Sequence, residues 1–166
     1  MVVRSGAAIC VALISVVYAS SSIARPADQN QNKPNAAATR RVIVGVASEY
    51  NPYRQGYREG GAETASGERY DPSAWTAAIQ TDLREMFGGV RYGKDYRPAY
   101  ALVTSAQKKV IVKINDVGPL EPGRVIDFNE QTMRYFDPTL QLGLIRIEVS
   151  PLPGDSWSVG PIAQNN

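Results

Sequence analysis

Three carboxylates, Asp116, Glu68 and Asp127, have sequence neighbours that give them work to do, and the chemistry they offer is proton transfer. Asp116 stands where the apolar pattern of Lys109 to Asn115 runs out into Val117-Gly118-Pro119. Partial withdrawal from water there raises a carboxyl pKa, as a general acid that also serves as a base requires. The same position suits an aspartate that only shapes the turn before Gly118-Pro119. Glu68 reads equally as a second carboxylate, as an acceptor for ligand hydroxyls or as a solvated loop residue. Asp127 reads as a helix cap, because Glu130 follows at capping-box spacing and Arg124 is close enough to pair with it. The chain of 166 residues contains no histidine, which excludes an imidazole base, nucleophile or metal ligand. Cys10 is the single cysteine, so no disulfide forms within the chain. Neither a metal site nor a cofactor is expected.

The elements that hold these groups begin after an address. Arg4, the apolar run Ala7 to Tyr18 and Ser22-Ile23-Ala24 make residues 1–24 a signal peptide, so the protein is expected outside the cytoplasmic membrane, periplasmic or associated with the cell envelope. The run falls short of the roughly 20 apolar residues a span needs, so no stable membrane span is expected after cleavage. Cys10, preceded by Ile9, is not placed for lipidation. Cleavage removes one cation, Arg4, leaving 17 Lys and Arg against 16 Asp and Glu and a net charge of +1 in place of +2. That balance argues against a nucleic-acid partner. Residues 25–41, rich in Gln, Asn, Pro and Ala, are a disordered linker, since they bury too little to offset ordering entropy.

Val42 to Ala47 is a β-branched strand that leaves the core near Ser48 and Glu49. Residues 51–71, with Pro52, Gly56, Gly60, Gly61 and Gly67, form a long loop of the kind that carries function. Residues 73–87 fit a helix capped by Ser73 and stopped by Gly88-Gly89, or else a short strand from Trp75 to Ile79 followed by a turn of helix. Strands Tyr100 to Thr104 and Lys109 to Asn115 flank a Ser-Ala-Gln-Lys turn, with Val110, Val112 and Ile114 on one apolar face. Asn115 to Pro119 is a turn, Val125 to Asp127 a short strand, and Asn129 to Phe136 a brief helix capped by Asp127 or Asn129. Leu144 to Val149 is the last strand, and 154–166 are an unstructured tail. Trp75 is expected in the core. Residues 42–153 thus form one mainly β domain, a small barrel with one or two short helices.

At this point the residues resemble the rare lipoprotein A family of septal-ring lytic transglycosylases. Gly45-Val46-Ala47-Ser48-Glu49-Tyr50 is similar to that family's Gly-x-Ala-Ser-Trp-Tyr, and Glu63 to Asp71 to its Thr-Ala-Asn/Ser-Gly-Glu-x-Tyr/Phe-Asp segment. Thr76-Ala77-Ala78 resembles Thr-Ala-Ala-His with Ile79 in the histidine's place. Val112 to Pro119 resembles Val-x-Val-Asn-Asp-Arg-Gly-Pro, and Gly123 to Asp127 resembles Gly-Arg-x-Ile-Asp. The resemblance implies a six-stranded double-psi β-barrel, with the Asn115-Asp116 segment bordering a sugar-binding groove and peptidoglycan glycan strands as the ligand. It departs at Ile79, at Glu49 in place of a tryptophan, and at residues 86–98, which replace a short turn.

The activity so implied is lytic transglycosylation, a carbon–oxygen lyase reaction in which one carboxyl protonates the leaving oxygen and then takes the proton of the sugar's own hydroxymethyl group. Asp116 is the catalytic candidate. Glu68, Thr64, Tyr50, Tyr70, Ile79 and Asn115 are the candidates for binding substrate. Seven of the nine tyrosines lie between Tyr50 and Tyr100, interleaved with Arg54, Arg58, Arg69, Arg91 and Arg97, a mixture that suits sugar faces and anionic wall polymers. Isoleucine at 79 is expected to dry the acid's pocket, raising the pH optimum and slowing the return proton transfer, so Ile79→His is expected to accelerate the reaction if Asp116 lies within reach of that side chain. The alternative is a non-catalytic, expansin-like binder of peptidoglycan or another polysaccharide, favoured by that same missing histidine. The sequence leaves the oligomeric state open.

Overall fold

The computed structural model describes residues 41–55, 61–88 and 93–163. The expected signal peptide, almost all of the linker, Tyr57, Arg58, Arg91 and Tyr92 lie outside the described residues. In chain order the elements are β1 (Ile43–Glu49), the one-turn helix α1 (Pro52–Gln55), β2 (Thr76–Gln80), a 3₁₀ turn (Thr81–Phe87), β3 (Ala99–Ser105), β4 (Lys108–Gly118), β5 (Arg124–Phe128), α2 (Glu130–Phe136), β6 (Ile145–Leu152) and β7 (Gly160–Pro161).

Hydrogen bonding runs β2-β5-β1-β6-β3-β4, and β4 pairs again with β2, so six strands close on themselves without a free edge. The pairs β1–β5 and β2–β4 are parallel and each contains a register shift; the other pairs round the ring are antiparallel. This is the double-psi β-barrel that the sequence motifs imply. Alternation fills its interior: Val110, Val112 and Ile114 from β4 meet Ala101 and Val103 from β3, Ile147 and Val149 from β6, and Ile126 and Phe128 from β5. Alanines at 47, 77 and 101 give these larger groups room. Gly45 is small for a related reason, since a Cβ there would meet Val125 Cγ1 at 2.5 Å.

Residues 73–87 adopt the second of their two readings, a strand followed by a 3₁₀ turn, because Ala77, Ala78 and Ile79 are needed in the sheet between β4 and β5. The helix α2 is capped by Asn129, whose side chain accepts from Thr132 N at 3.1 Å. Asp127 is therefore not the cap; it still belongs to β5, two residues before the helix can begin. Phe136 stacks on Phe128 with ring centroids 5.6 Å apart, fastening α2 to the core. Trp75 packs against the core cluster and meets Tyr135 edge-on, as expected. Two segments differ from the sequence reading. Asn115 to Gly118 continues β4 instead of turning, because β2 pairs along it as far as Gly118. In the tail, Gly160–Pro161 pairs with Val110 and Ile111, adding β7 to the flank of the barrel.

Candidate functional site

The register of three strand pairs sets the site. Ala78 on β2 is the partner of Asp116 on β4 and of Asp127 on β5, and Asp127 is the partner of Ser48 on β1. Their neighbours one residue away, Ala47, Ala77, Ile79, Ile126 and Phe128, all lie in the core. Because side chains alternate across a strand, Asp116, Ala78, Asp127 and Ser48 form a row on the outer face of the barrel.

A tight loop covers one end of that row. Thr64 accepts from Gly67 N at 2.8 Å, and its own amide and hydroxyl donate to the Glu68 carbonyl at 2.8 and 2.9 Å. Gly67 makes the reversal at φ 84, a left-handed conformation that costs glycine nothing. The loop docks on the bulge in β4: Asn115 is skipped in the pairing with β2, and its carbonyl accepts instead from Ser66 N at 3.0 Å. Asp116 completes the joint. Its Oδ1 accepts from Ala65 N and Val117 N, both at 2.9 Å, and its Oδ2 accepts from the Tyr50 hydroxyl at 3.2 Å.

Burial pushes the Asp116 carboxyl above its usual range, against the pull of those three donors towards the charged form. Tyr50 is pushed strongly up by burial and by the Asp116 charge, so its hydroxyl keeps its proton and acts as a donor. Asp127 is likewise raised, first by burial and then by the charge of Asp116, while Ser48 and Arg124 work the other way. Glu68 behaves differently. Burial would raise it, yet hydrogen bonds from Lys113, Asn115 and Ser66 together hold its carboxyl below the ordinary value. A carboxylate held ionised is an anchor for the loop and a poor proton donor at neutral pH.

The substrate-binding candidates therefore divide. Tyr50 and Glu68 are half-buried and reach the surface of the site. Thr64, Tyr70 and Asn115 are buried with their polar atoms already bonded, Tyr70 through its hydroxyl to the Tyr50 carbonyl and from Glu130 N. Their hydrogen bonds hold the 62–70 loop, Tyr50 and Glu68 in place. Ile79 is fully buried in the barrel, paired with Val117 and Ile126, so it forms no wall of the site and does not dry the Asp116 pocket from that side. Sequence reasoning missed Lys113, Ala78 and Ser48, and only the register shows why they matter. Of the interleaved arginines, Arg54 is tied to Glu49 and Glu130, and Arg69 donates to the Tyr53 hydroxyl. Among the described residues no group of three potential ligands is placed to hold a metal ion, and no helix is long and apolar enough to cross a membrane.

The Lys113–Glu68 pair carries a prediction. Glu68→Gln is expected to cost about 0.5–1 kcal/mol at pH 7, since solvent screens a pair whose glutamate side chain is 43% exposed. The folded pKa is the lower one, so the stabilisation is full above the unfolded glutamate pKa and vanishes as pH falls through the folded value. Urea melts of both proteins at pH 7 and pH 3 check this; an equal loss at both would assign the effect to packing.

The closed ring of six strands, with its two parallel pairs, defines the chain as a double-psi β-barrel domain. Residues 43–149 match the family described as lytic transglycolase, and the chain belongs to that family. It is 33% identical over 113 residues to the endolytic peptidoglycan transglycosylase RlpA of Neisseria meningitidis serogroup A, covering 66% of this chain and 40% of the relative. It is 36% identical over 88 residues to the protein of the same name from Yersinia pestis, covering 52% and 19%. A probable endolytic peptidoglycan transglycosylase RlpA of Synechocystis sp. is 36% identical over 107 residues, covering 62% and 27%. The chain thus spans at most two fifths of these relatives. Among solved structures it is similar to the Streptomyces papain inhibitor, with a TM-score of 0.49 at 16% identity over 68% of this chain and 94% of that one.

Proposed function

We propose that this chain acts on peptidoglycan glycan strands as an endolytic lytic transglycosylase, with Asp116 as its proton-transfer group. The observation that carries the reading is the setting of Asp116, a carboxyl raised by burial and held by Ala65, Val117 and Tyr50 on the outer face of the barrel. A protonated carboxyl gives its proton to the glycosidic oxygen, and the C1–O bond breaks with its electron pair on that oxygen. The sugar's hydroxymethyl oxygen then bonds to C1, and the carboxylate takes the hydroxyl proton. The names of the relatives agree with this substrate. On this reading residues 1–24 act as an export signal, which suits a protein whose polymer lies in the cell envelope.

A second reading, a non-catalytic glycan binder, is favoured by one observation. By the motif resemblance Ile79 stands where the family has histidine, and an isoleucine has no proton to give or take. Digestion of purified glycan strands followed by mass analysis separates the two. The first predicts 1,6-anhydro-ended fragments; retention of intact strands with no new ends decides for the binder.

A further inference from the structure

We propose that Asp127 is a second proton-transfer residue of this site, holding the proton for the leaving oxygen while Asp116 receives the hydroxymethyl proton. The proposal rests on the transglycosylase reading and refines it. Asp116 and Asp127 are both partners of Ala78, one from each side. With strands spaced about 4.8 Å apart, the two backbones stand roughly 9–10 Å from each other, a gap that admits a scissile bond between two carboxyls. The residue between them is alanine, buried beneath its neighbours, while the two aspartates that flank it are each only partly buried.

The environments of the two carboxyls separate their roles. Asp116 accepts two backbone N–H bonds and a tyrosine hydroxyl, all of which favour its anion. Asp127 accepts from the Ser48 hydroxyl, and it faces the like charge of Asp116 across Ala78. Among the described residues, Arg124 from its own strand, Asp116 from β4 and the Tyr50 phenol just after β1 bear on it. The proposal therefore puts the proton on Asp127 and the charge on Asp116, the division that an acid and a base need.

In the proposed step the Asp127 proton moves to the glycosidic oxygen as the C1–O bond breaks. The hydroxymethyl oxygen bonds to C1 and its proton goes to Asp116. The pair ends with the proton on the other carboxyl, and exchange with water restores the start. No oxidant or added co-reactant is involved.

The test uses two substrates, glycan strands and a nitrophenyl glycoside of the same sugar, whose leaving group departs without protonation. Asp127→Asn is expected to be about 10–100-fold slower on glycan, near wild type on the nitrophenyl substrate, and to change the bell-shaped kcat/KM profile into one that only falls with rising pH, because Asp116 must then supply the proton itself. Asp116→Asn is expected to be slow on both. Equal loss on both substrates by Asp127→Asn, or none on either, overturns the assignment while leaving the transglycosylase reading in place. A wild-type protein that binds glycan but cleaves neither substrate overturns that reading and this role with it. Carboxyl titration by carbon NMR needs no Asp127 variant: Asp127 should titrate above Asp116 in the wild type and move down in Asp116→Asn. The opposite order overturns the proposal.

Discussion

Asp116→Asn is expected to lower glycan cleavage by about 10²-fold or more while leaving folding and glycan binding in place. Asparagine keeps the size of the side chain and one oxygen for the Ala65 and Val117 amides, and its NH₂ can donate to the Tyr50 hydroxyl in place of accepting from it. What it removes is the exchangeable proton. Turnover of glycan strands and isothermal binding of the same strands, measured on one preparation, separate the two effects. If binding and the thermal transition collapse together, the carboxylate's main service is to hold the 62–70 loop on β4. If turnover persists at the wild-type rate, Asp116 leaves the mechanism.

The same substitution has a stability signature of known sign. Burial makes the folded pKa of Asp116 higher than the unfolded one, so the native state keeps a proton that the unfolded chain has already lost. The wild type therefore loses stability as pH rises from the unfolded aspartate pKa through the folded value. Asp116→Asn carries no such penalty. Its stability relative to wild type should be greatest at neutral pH and should decline on acidification, the reverse of the trend expected for Glu68→Gln.

Much of the barrel was legible because alternation and β-branching survive in single strands: Ile43 to Ala47, Val103 with its neighbours, Val110 to Ile114 and Ile145 to Val149 each announce a face. Three things were not legible. Gly118-Pro119 signals a turn locally, and only the parallel partner β2 keeps Asn115 to Gly118 extended. Gly160–Pro161 has no strand propensity at all and pairs because β4 offers it a neighbour. Most consequential is Asp127, whose spacing to Glu130 satisfies a capping box although the chain is still in β5 there. Register decides which residues share a face, and register belongs to the assembled sheet. The row Asp116, Ala78, Asp127 and Ser48 joins positions up to 79 residues apart in sequence, from Ser48 to Asp127, so no local pattern could reveal it.

The position of Ile79 reverses the expectation drawn from sequence for its replacement. A histidine there was expected to accelerate cleavage by reaching Asp116. In the fold Ile79 is 0% exposed, opposite Val117 and Ile126 in the barrel interior, while Asp116 projects from the other face of the sheet. Ile79→His would place an imidazole with a polar N–H among apolar side chains and remove aliphatic volume from a closed core. The expected cost is about 2–4 kcal/mol, a drop in melting temperature on the order of 10 °C. It should depend on pH in a defined direction. Burial lowers the folded pKa of an imidazole below its unfolded value, so the unfolded state binds the extra proton and the variant weakens as pH falls through about 6.5. Thermal melts of wild type and variant at pH 5 and pH 8, read beside glycan cleavage at 25 °C, test both parts. A variant that melts with the wild type and cleaves faster would show that the side chain at 79 turns out of the core to the groove. One that melts far lower, and lower still at pH 5, with no gain in cleavage, shows that it stays inside. Proton transfer in this histidine-free chain would then rest on the carboxyls of the outer face.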